Sequence, residues 1–541
     1  MRLVIESFSY RDDPRPALEG VELAVSSGQC LLVGGGSGSG KSTLGLVLAG
    51  VLPGQHRGVM RGRIDLDGQS VVFTDGQASR IDHQRWGGLV GYAGQDAAAQ
   101  LSTSAPTVAD EIAFPLENAG MPRPLMQERV RETAGALGLL PLLDRDPLRI
   151  SGGQQKLVAI AAAIARKPGY LILDEPFAGL DLDARNSVRA AIETLIGDRM
   201  AVILLSQDIA PTSLPADKVV LLKAGRSVFD GTADDAARTA VRLDLPVLGT
   251  AATGIGDLFS RPVQAVPGLA ACLGGKRAEN AGVSVTAEGL RFSYGRQRPR
   301  RRRPEVPTAP VLDGVDMAVG PGECLAVTGA NGSGKSTLLR LLTGLSVPQS
   351  GHVTLGGRVA GGDETGQTIV PGALLQHPRE QLFERTVRRE VAAGLPRSLD
   401  EAARDARVDD ALHRCGLMAA EGLHPYELPA SGQRLAALAA LLVRSPGFIA
   451  LDEPTVSLDR PGLQSLAAAI AAEAGRGAAI VMVTHDLDFA RLTCSRLMVL
   501  SGGRKVADGP FDEVLEAHFG TGEAYGVAAP TTWRGWRAPG A

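Results

Sequence analysis

The sequence predicts an α/β protein in which one domain, built on a strand–loop–helix unit, occurs twice in tandem. Three observations carry this. A glycine-rich segment, GGSGSGKST at Gly35–Thr43, recurs as GANGSGKST at Gly329–Thr337. Each follows a short apolar run, Cys30–Val33 or Cys324–Val327, and precedes an apolar helical pattern. A second apolar run ends in paired acids in both copies, LILDEP at Leu171–Pro176 and IALDEP at Ile449–Pro454, as a buried parallel strand does. The spacing then holds: Asp174 and Asp452, Asp181 and Asp459, and Asp230 and Asp508 are each 278 residues apart. A repeat of that length is a whole domain and not a solenoid unit.

The first copy is expected over residues 1–235 and the second over 283–518. Residues 236–282 between them are rich in Pro, Gly and Ala and read as a linker with one short helix. Residues 519–541 read as a flexible tail. The second copy carries an insert, RQRPRRRRPEVPTAP at Arg296–Pro310. Its arginines suit either a solvated hairpin tip or anionic lipid headgroups at a membrane surface.

Composition narrows the function classes. The 541 residues carry 56 basic against 59 acidic side chains, so no net charge favours nucleic acid. Aromatics at 4% leave little for base stacking. A spanning helix needs about 20 apolar residues, whereas the run Leu435–Val443 stops at Arg444. The opening MRLVIESFSYRDD lacks a leader's apolar core, so none is expected. Cys30, Cys272, Cys324, Cys415 and Cys494 show no metal-ligand spacing and fit a reducing compartment.

The repeated motifs have a shared chemistry. In a strand–loop–helix context GxxxxGK[ST] is a phosphate cradle, because glycines let successive N–H groups face one anion and the helix N-terminus adds its dipole. The cradles are Gly35, Gly36, Ser37, Gly38, Ser39, Gly40, Lys41, Ser42 and Thr43, and Gly329, Ala330, Asn331, Gly332, Ser333, Gly334, Lys335, Ser336 and Thr337. Lys41 and Lys335 are expected on the β/γ-phosphates, and Ser42 and Ser336 on Mg²⁺. Asp174 and Asp452, delivered at strand ends, are expected to hold Mg²⁺ through water. Glu175 and Glu453 are then placed to polarise an attacking water.

In the first copy ISGGQ at Ile150–Gln154 opens an Ala-rich helix. With the phosphate loop and the DEP element, it makes the chain resemble the ATP-binding subunit of an ABC transporter, with two nucleotide-binding domains fused. The resemblance covers both repeats. It implies P-loop α/β domains, each with a mainly parallel sheet core, an antiparallel β part near the adenine and a helical part bearing the signature. It implies ATP and Mg²⁺ as cofactors, with two ATP molecules sandwiched head to tail between the chain's own two domains. Ser151, Gly152, Gly153 and Gln154 would then meet the γ-phosphate held by the other domain. Tyr10 and Tyr294 match the family's adenine-stacking aromatic, and Gln95 and Gln376 its glutamine loop, which senses Mg²⁺ and touches the membrane partner. The segments Thr107–Asn118 and Thr386–Leu395, with a second Gln and a Leu before each, resemble energy-coupling-factor importers of vitamins, their precursors, or cobalt and nickel.

Departures from the family pattern predict unequal sites. The family's histidine after a strand is His485 in VTHD, but Gln207 in LSQD. Ser151 lies 23 residues before Asp174, and the same count from Asp452 reaches Pro429, in LPASG at Leu428–Gly432. Ser431–Gln433 would restore a signature only by a two-residue shift, against constant spacing on both sides. Head-to-tail geometry then puts both defects, Gln207 and Pro429, in the site of Lys41. The site of Lys335 keeps Glu453, His485 and the borrowed ISGGQ. The resemblance further implies peripheral attachment at the cytoplasmic face of a membrane. The implied partners are integral membrane transport subunits, a transmembrane coupling protein and a substrate-binding membrane protein, with no nucleic acid. Two alternatives share part of the pattern: the fused ATPase of a sugar importer, and a soluble tandem ATPase that acts on ribosomes.

Overall fold

The computed structural model describes residues 1–11, 15–54, 58–74, 81–102, 104–209, 216–243, 245, 247, 282–294, 310–359, 370–396, 398–519, 523–524 and 527–528. The chain divides into two compact units, Met1–Thr253 and Gly254–Ala541. The arginine-rich insert and most of the expected linker lie outside the described residues.

In the first unit, strands β1 (Arg2–Tyr10), β2 (Leu18–Ala24), β4 (Gly58–Leu66) and β5 (Gln69–Phe73) form an antiparallel sheet in the order β2-β1-β4-β5. Leu3, Ile5, Leu18, Val21, Leu23 and Ile64 are buried in register, so the alternation turns one face inward. The other sheet runs β10-β9-β3-β8-β7-β6. Its strands are β3 (Cys30–Gly34), β6 (Val90–Ala93), β7 (Tyr170–Asp174), β8 (Ala201–Ser206), β9 (Lys218–Lys223) and β10 (Arg226–Gly231). All pairings are parallel except that of the edge strand β10. Every residue of β3, β7 and β8 is buried, as a sheet covered on both faces requires.

Helix α1 (Lys41–Leu48) packs between the sheets, where Leu44, Val47 and Leu48 join one apolar core. Helices α4 (Val108–Asn118), α5 (Arg123–Ala136), α6 (Gly152–Ile164) and α7 (Leu182–Gly197) contribute to the second core on the sheet's other face. Short helices α2 (His83–Leu89) and α3 (Ala97–Gln100) flank β6.

The second unit repeats the plan. Strands β11 (Val285–Phe292), β12 (Leu312–Val319), β14 (Ser350–Leu355) and β15 (Arg358–Val359) make the antiparallel sheet β12-β11-β14-β15. The parallel core is β16-β17-β18-β13-β19-β20, from β13 (Cys324–Thr328), β16 (Gly372–Leu374), β17 (Phe448–Asp452), β18 (Ala479–Val483), β19 (Arg496–Ser501) and the antiparallel edge strand β20 (Arg504–Pro510). The chain thus holds one α/β fold twice in tandem, with the expected sheet and helical parts.

Two boundaries differ in detail from the sequence reading. Helix α8 (Ala233–Arg242) runs past residue 235, and Leu245 and Val247 are buried in the first unit's core. The tail includes a short hairpin, Glu523–Ala524 with Val527–Ala528, and Val527 is buried. In the second unit, helices α9 (Lys335–Leu342), α10 (Val387–Ala393), α11 (Glu401–Arg414) and α12 (Ala430–Leu442) take the places of α1, α4, α5 and α6 in chain order. Cys30, Cys324, Cys415 and Cys494 are buried thiols, and Cys324 Sγ shares a hydrogen bond with Cys494 Sγ (2.9 Å). Among the described residues no helix is long and apolar enough to cross a membrane.

This topology decides where chemistry can occur. The loops after β3, β8, β7 and β6 leave the same carboxyl edge of adjacent parallel strands, where open α/β sheets bind ligands. Val33 pairs with Leu205 and Leu205 with Asp174, so the glycine loop and both acids emerge side by side.

Candidate functional site

The glycine loops are shaped by backbone that only glycine allows. Gly40 and Gly334 precede their helices at φ 100 and 102 in the left-handed region. A Cβ would meet Leu18 Cδ2 at 2.7 Å from Gly40, and Leu312 Cδ2 at 2.6 Å from Gly334. Neither α1 nor α9 has a side-chain cap, so the helix-start amides face the loop. Lys41 Nζ folds back and donates to the carbonyls of Gly35 (2.7 Å) and Gly36 (2.9 Å). Lys335 Nζ does the same to Gly329 (2.6 Å) and Ala330 (2.9 Å). Tyr10 and Tyr294 each share a hydrogen bond with Thr43 (2.9 Å) or Thr337 (3.1 Å). Their rings stand edge-on to Phe8 and Phe292 and are 38% and 54% exposed. That leaves an aromatic face beside each loop.

The two acids point different ways because the chain kinks between them. Glu175 and Glu453 both take φ 47, an uncommon left-handed conformation for a side-chain-bearing residue. The neighbouring strand holds each turn: Glu175 N–H donates to Leu205 O (2.8 Å) and Glu453 N–H to Val483 O (2.9 Å). The Glu175 carboxylate then lies 4.0 Å from Lys41 Nζ. Burial raises its pKa to about 7, with Lys41 pulling the other way. Burial raises Glu453 as well, against Lys335. A carboxylate that takes up a proton near neutrality suits a general base.

Asp174 and Asp452 are also raised by burial, opposed first by hydrogen bonds from Ser42 and Ser336 and then by Lys41 and Lys335. Ser336 Oγ donates to Asp452 Oδ1 at 3.3 Å. Asp174 Oδ1 is buried without a hydrogen-bond partner among the described residues. A hydroxyl beside a buried carboxylate with spare acceptor capacity, next to a glutamine loop, is an oxygen donor set that fits Mg²⁺.

The halves part company after β8 and β18. His485 Nε2 hydrogen-bonds Asn331 Oδ1 of the glycine loop (3.2 Å) and lies 3.3 Å from Glu453 Oε1, which has no hydrogen-bond partner among the described residues. Its backbone N–H reaches Glu453 Oε2 at 3.3 Å. Gln207 keeps the backbone bond, N–H to Glu175 Oε1 at 2.9 Å. Its side-chain Oε1 is buried with no partner among the described residues.

The signatures differ as sharply. Ser151 is the N-cap of α6 in a reciprocal box: Gln154 N–H donates to Ser151 Oγ (3.3 Å), and Ser151 N–H to Gln154 Oε1 (3.1 Å). Pro429 occupies the same cap position of α12 and makes no side-chain cap bond. Gln433 instead turns inward, accepting from Arg379 Nε (2.9 Å) and donating to Leu428 O (2.8 Å). Ser431 is buried at the position of Gly153. A Cβ on Gly153 would meet Ala184 Cβ at 2.5 Å. Ala184's counterpart 278 residues on is Gly462.

The importer-like pattern has a local structural account. Thr107 and Thr386 are the N-caps of α4 and α10. Buried Glu111 accepts from Ser102 N–H (2.8 Å), and buried Glu390 from Phe383 and Glu384 N–H (2.7 Å each). Gln100 and Gln381 accept from Gly94 (2.7 Å) and Leu375 (2.8 Å) N–H, fixing the glutamine loops.

Three side chains at the site escaped sequence reasoning. Lys156 Nζ donates to the carbonyls of Glu175 (2.7 Å) and Gln95 (3.0 Å). Arg434 donates to those of Glu453 (3.0 Å) and Gln376 (2.9 Å). Burial lowers Lys156 to about 8 and Arg434 to about 10. Their only signal is a lone cation on an apolar helix. Tyr92, on β6, has its hydroxyl raised by burial and then by the charge of Asp174.

A family model described as ABC transporter matches residues 18–178 and 312–456. A chain named as an ABC transporter ATP-binding protein from Streptomyces avermitilis is 34% identical, over 94% of both chains. One of like name from Streptomyces coelicolor is 33% identical, again over 94% of each. Among solved structures, a chain of ribosome-bound archaeal Pelota and ABCE1 is 19% identical, with a TM-score of 0.59, over 91% of this chain and 77% of that one. At that identity the likeness shows the fold alone.

Proposed function

This chain belongs to the ABC transporter family and is an ATPase with two nucleotide-binding domains; we propose that it drives a membrane importer through one competent and one degenerate ATP site. The observation that carries the reading is the contrast between Glu453, which has His485, bonded to the phosphate loop, 3.3 Å away, and Glu175, where the histidine is Gln207. In the competent site Lys335 and the loop amides hold the β/γ-phosphates. Glu453 takes the proton of the attacking water, and His485 orients that carboxylate while touching the γ-phosphate side of the loop. Mg²⁺, when bound, adds positive charge on the phosphate oxygens, and Ser336, Asp452 and Gln376 would hold it; Ser42, Asp174 and Gln95 are the other set. Tyr294 and Tyr10 stack on adenine. On the head-to-tail pairing that the family resemblance implies, the competent site would borrow Ser151–Gln154 and the degenerate one Leu428–Gly432, and the degenerate site would still bind ATP.

The transport class is proposed as energy-coupling-factor type, for a vitamin, a precursor or a transition-metal ion. Its support is the glutamine-loop pattern. The membrane partners dock on residues 95–118 and 376–395, where Phe114 and above all Phe383, 82% exposed, offer apolar anchors. The protein is then peripheral at the cytoplasmic face.

The test of the site assignment is paired: Glu453→Gln is expected to lower steady-state ATPase about 10²–10⁴-fold with ATP binding kept, and Glu175→Gln far less. Near-parental turnover in Glu453→Gln refutes it. Photocrosslinkers at positions 114 and 383, used in native membranes, should capture an integral membrane protein. Capture of ribosomal proteins instead would favour the soluble reading.

A further inference from the structure

Helices α6 and α12 each bury one cation five residues from the cap that opens them, Lys156 at 8% and Arg434 at 3% exposure. A buried cation is costly unless its hydrogen bonds are made. Here two side chains of different length and donor geometry reach the same two carbonyls in two separately folded units.

What those carbonyls belong to gives the pairing its meaning. One is that of Glu175 or Glu453, the residue held at φ 47. Its N–H is already taken by the adjacent strand, so the cation pins the second backbone group of the same kinked residue. The other carbonyl is that of Gln95 or Gln376, in the glutamine loop. The cation itself rides two residues after Gln154, or after its counterpart Gly432, on the helix whose start is the signature. Three parts that sequence places far apart are therefore joined at one side-chain head group per half, Lys156 Nζ in the first and Arg434 Nη1 and Nη2 in the second.

We propose that Lys156 and Arg434 are positioning residues for hydrolysis, each tying the signature helix to the kinked turn that carries the general base and to the glutamine loop of the same half. The proposal rests on the reading of Glu453 and Glu175 as the water-polarising groups. Each tie is a physical contact within one folded unit.

The test uses the full chain with Arg434→Met and Arg434→Lys, reading kcat, KM, equilibrium binding of a fluorescent ATP analogue and melting temperature. Arg434→Met should lower kcat at least tenfold while nucleotide affinity stays within twofold. Arg434→Lys should recover turnover to within threefold of the parent, because a lysine makes both bonds in the first half. Turnover within twofold of the parent in Arg434→Met overturns the proposal. So does a parallel loss of kcat and nucleotide affinity, which marks a merely structural role. If Arg434→Met fails to fold, Arg434→Lys decides alone, and a tenfold loss of kcat in that folded variant overturns the proposal. Glu453→Gln in parallel separates the two levels. If it keeps its turnover, the reading of the site has failed; if it loses turnover and Arg434→Met does not, only the role given to Arg434 has.

Discussion

Glu175 and Glu453 stand on the same kinked backbone, at the same φ, with the same N–H bond to the neighbouring strand and a main-chain N–H reaching each carboxylate from the next loop. The side chains of that loop differ: Gln207 stands against His485, and Ser206, whose Oγ donates to Glu175 Oε2 (3.4 Å), stands against Thr484. Two layers of design separate here. Main-chain bonds at the carboxyl edge of the parallel sheet fix where the carboxylate sits, and they survive substitution. Charge and proton handling depend on the side chain, and there the halves diverge. The signature repeats the lesson: α6 and α12 both span thirteen residues from equivalent starts, yet one opens on a Ser–Gln box and the other on a proline that donates nothing.

The largest expected effect is at the phosphate-loop lysines, where the two halves should differ most. Lys335→Ala should lower ATPase roughly 10²–10³-fold, the range for removal of one preorganised donor. Lys41→Ala should leave hydrolysis within about tenfold of the parent, because on the proposed pairing its site lacks the histidine and the signature serine. Steady-state rates with separately measured ATP binding decide it. Equal losses would mean that the sites fire only together, and a larger loss from Lys41→Ala would reverse the assignment.

A smaller effect is expected from rebuilding the weak site. In the Lys335→Ala background, where the strong site is silent, Gln207→His with Pro429→Ser should raise hydrolysis. The histidine returns a bridge to the phosphate loop, and the serine returns a cap and a donor. An increase of roughly tenfold is expected, below the 10²–10³ of a fully preorganised donor, since Ser37 stands where the strong site has Asn331. No increase would mean that the defect lies elsewhere than in these two side chains.

Much of this was legible because the informative residues obey local rules. Gly40 and Gly334 must be glycine for backbone reasons, and the runs ending at Asp174 and Asp452 are apolar throughout because both sheet faces are covered. Lys156 and Arg434 were not legible. A lone cation on an apolar helix reads as an exposed residue, and its carbonyl partners lie 61 and 19 residues away for Lys156, a tertiary fact with no sequence period. The glutamine-loop pattern was legible as a pattern, but part of it is architecture, since Thr107, Thr386, Glu111 and Glu390 cap helices and stitch loops. Helix α8 continues past residue 235 because its small residues Ala236, Ala237, Thr239 and Ala240 bury one face, where composition alone suggests a linker.

The smallest expected effect settles which serine matters in the second signature. SGQ at Ser431–Gln433 looks like a signature displaced by two residues. If it worked as one, Ser431→Gly would remove a phosphate donor and weaken nucleotide binding at the Lys41 site. Its position argues otherwise. Ser431 lies inside the first turn of α12, buried, in the place of Gly153, while Pro429 holds the cap. A Cβ on Gly153 would be crowded by Ala184, whose counterpart in the second half is Gly462, without a side chain. Ser431→Gly should therefore act on stability alone. Glycine is less favourable than serine in a helix by about 0.5 kcal/mol, a shift of roughly 1–2 °C in melting temperature for a unit of this size. Nucleotide binding, measured in the Lys335→Ala background so that only the Lys41 site reports, should be unchanged. Weakened binding with an unaltered melting temperature would restore the displaced signature, and with it a phosphate donor to a site that otherwise has none from its signature.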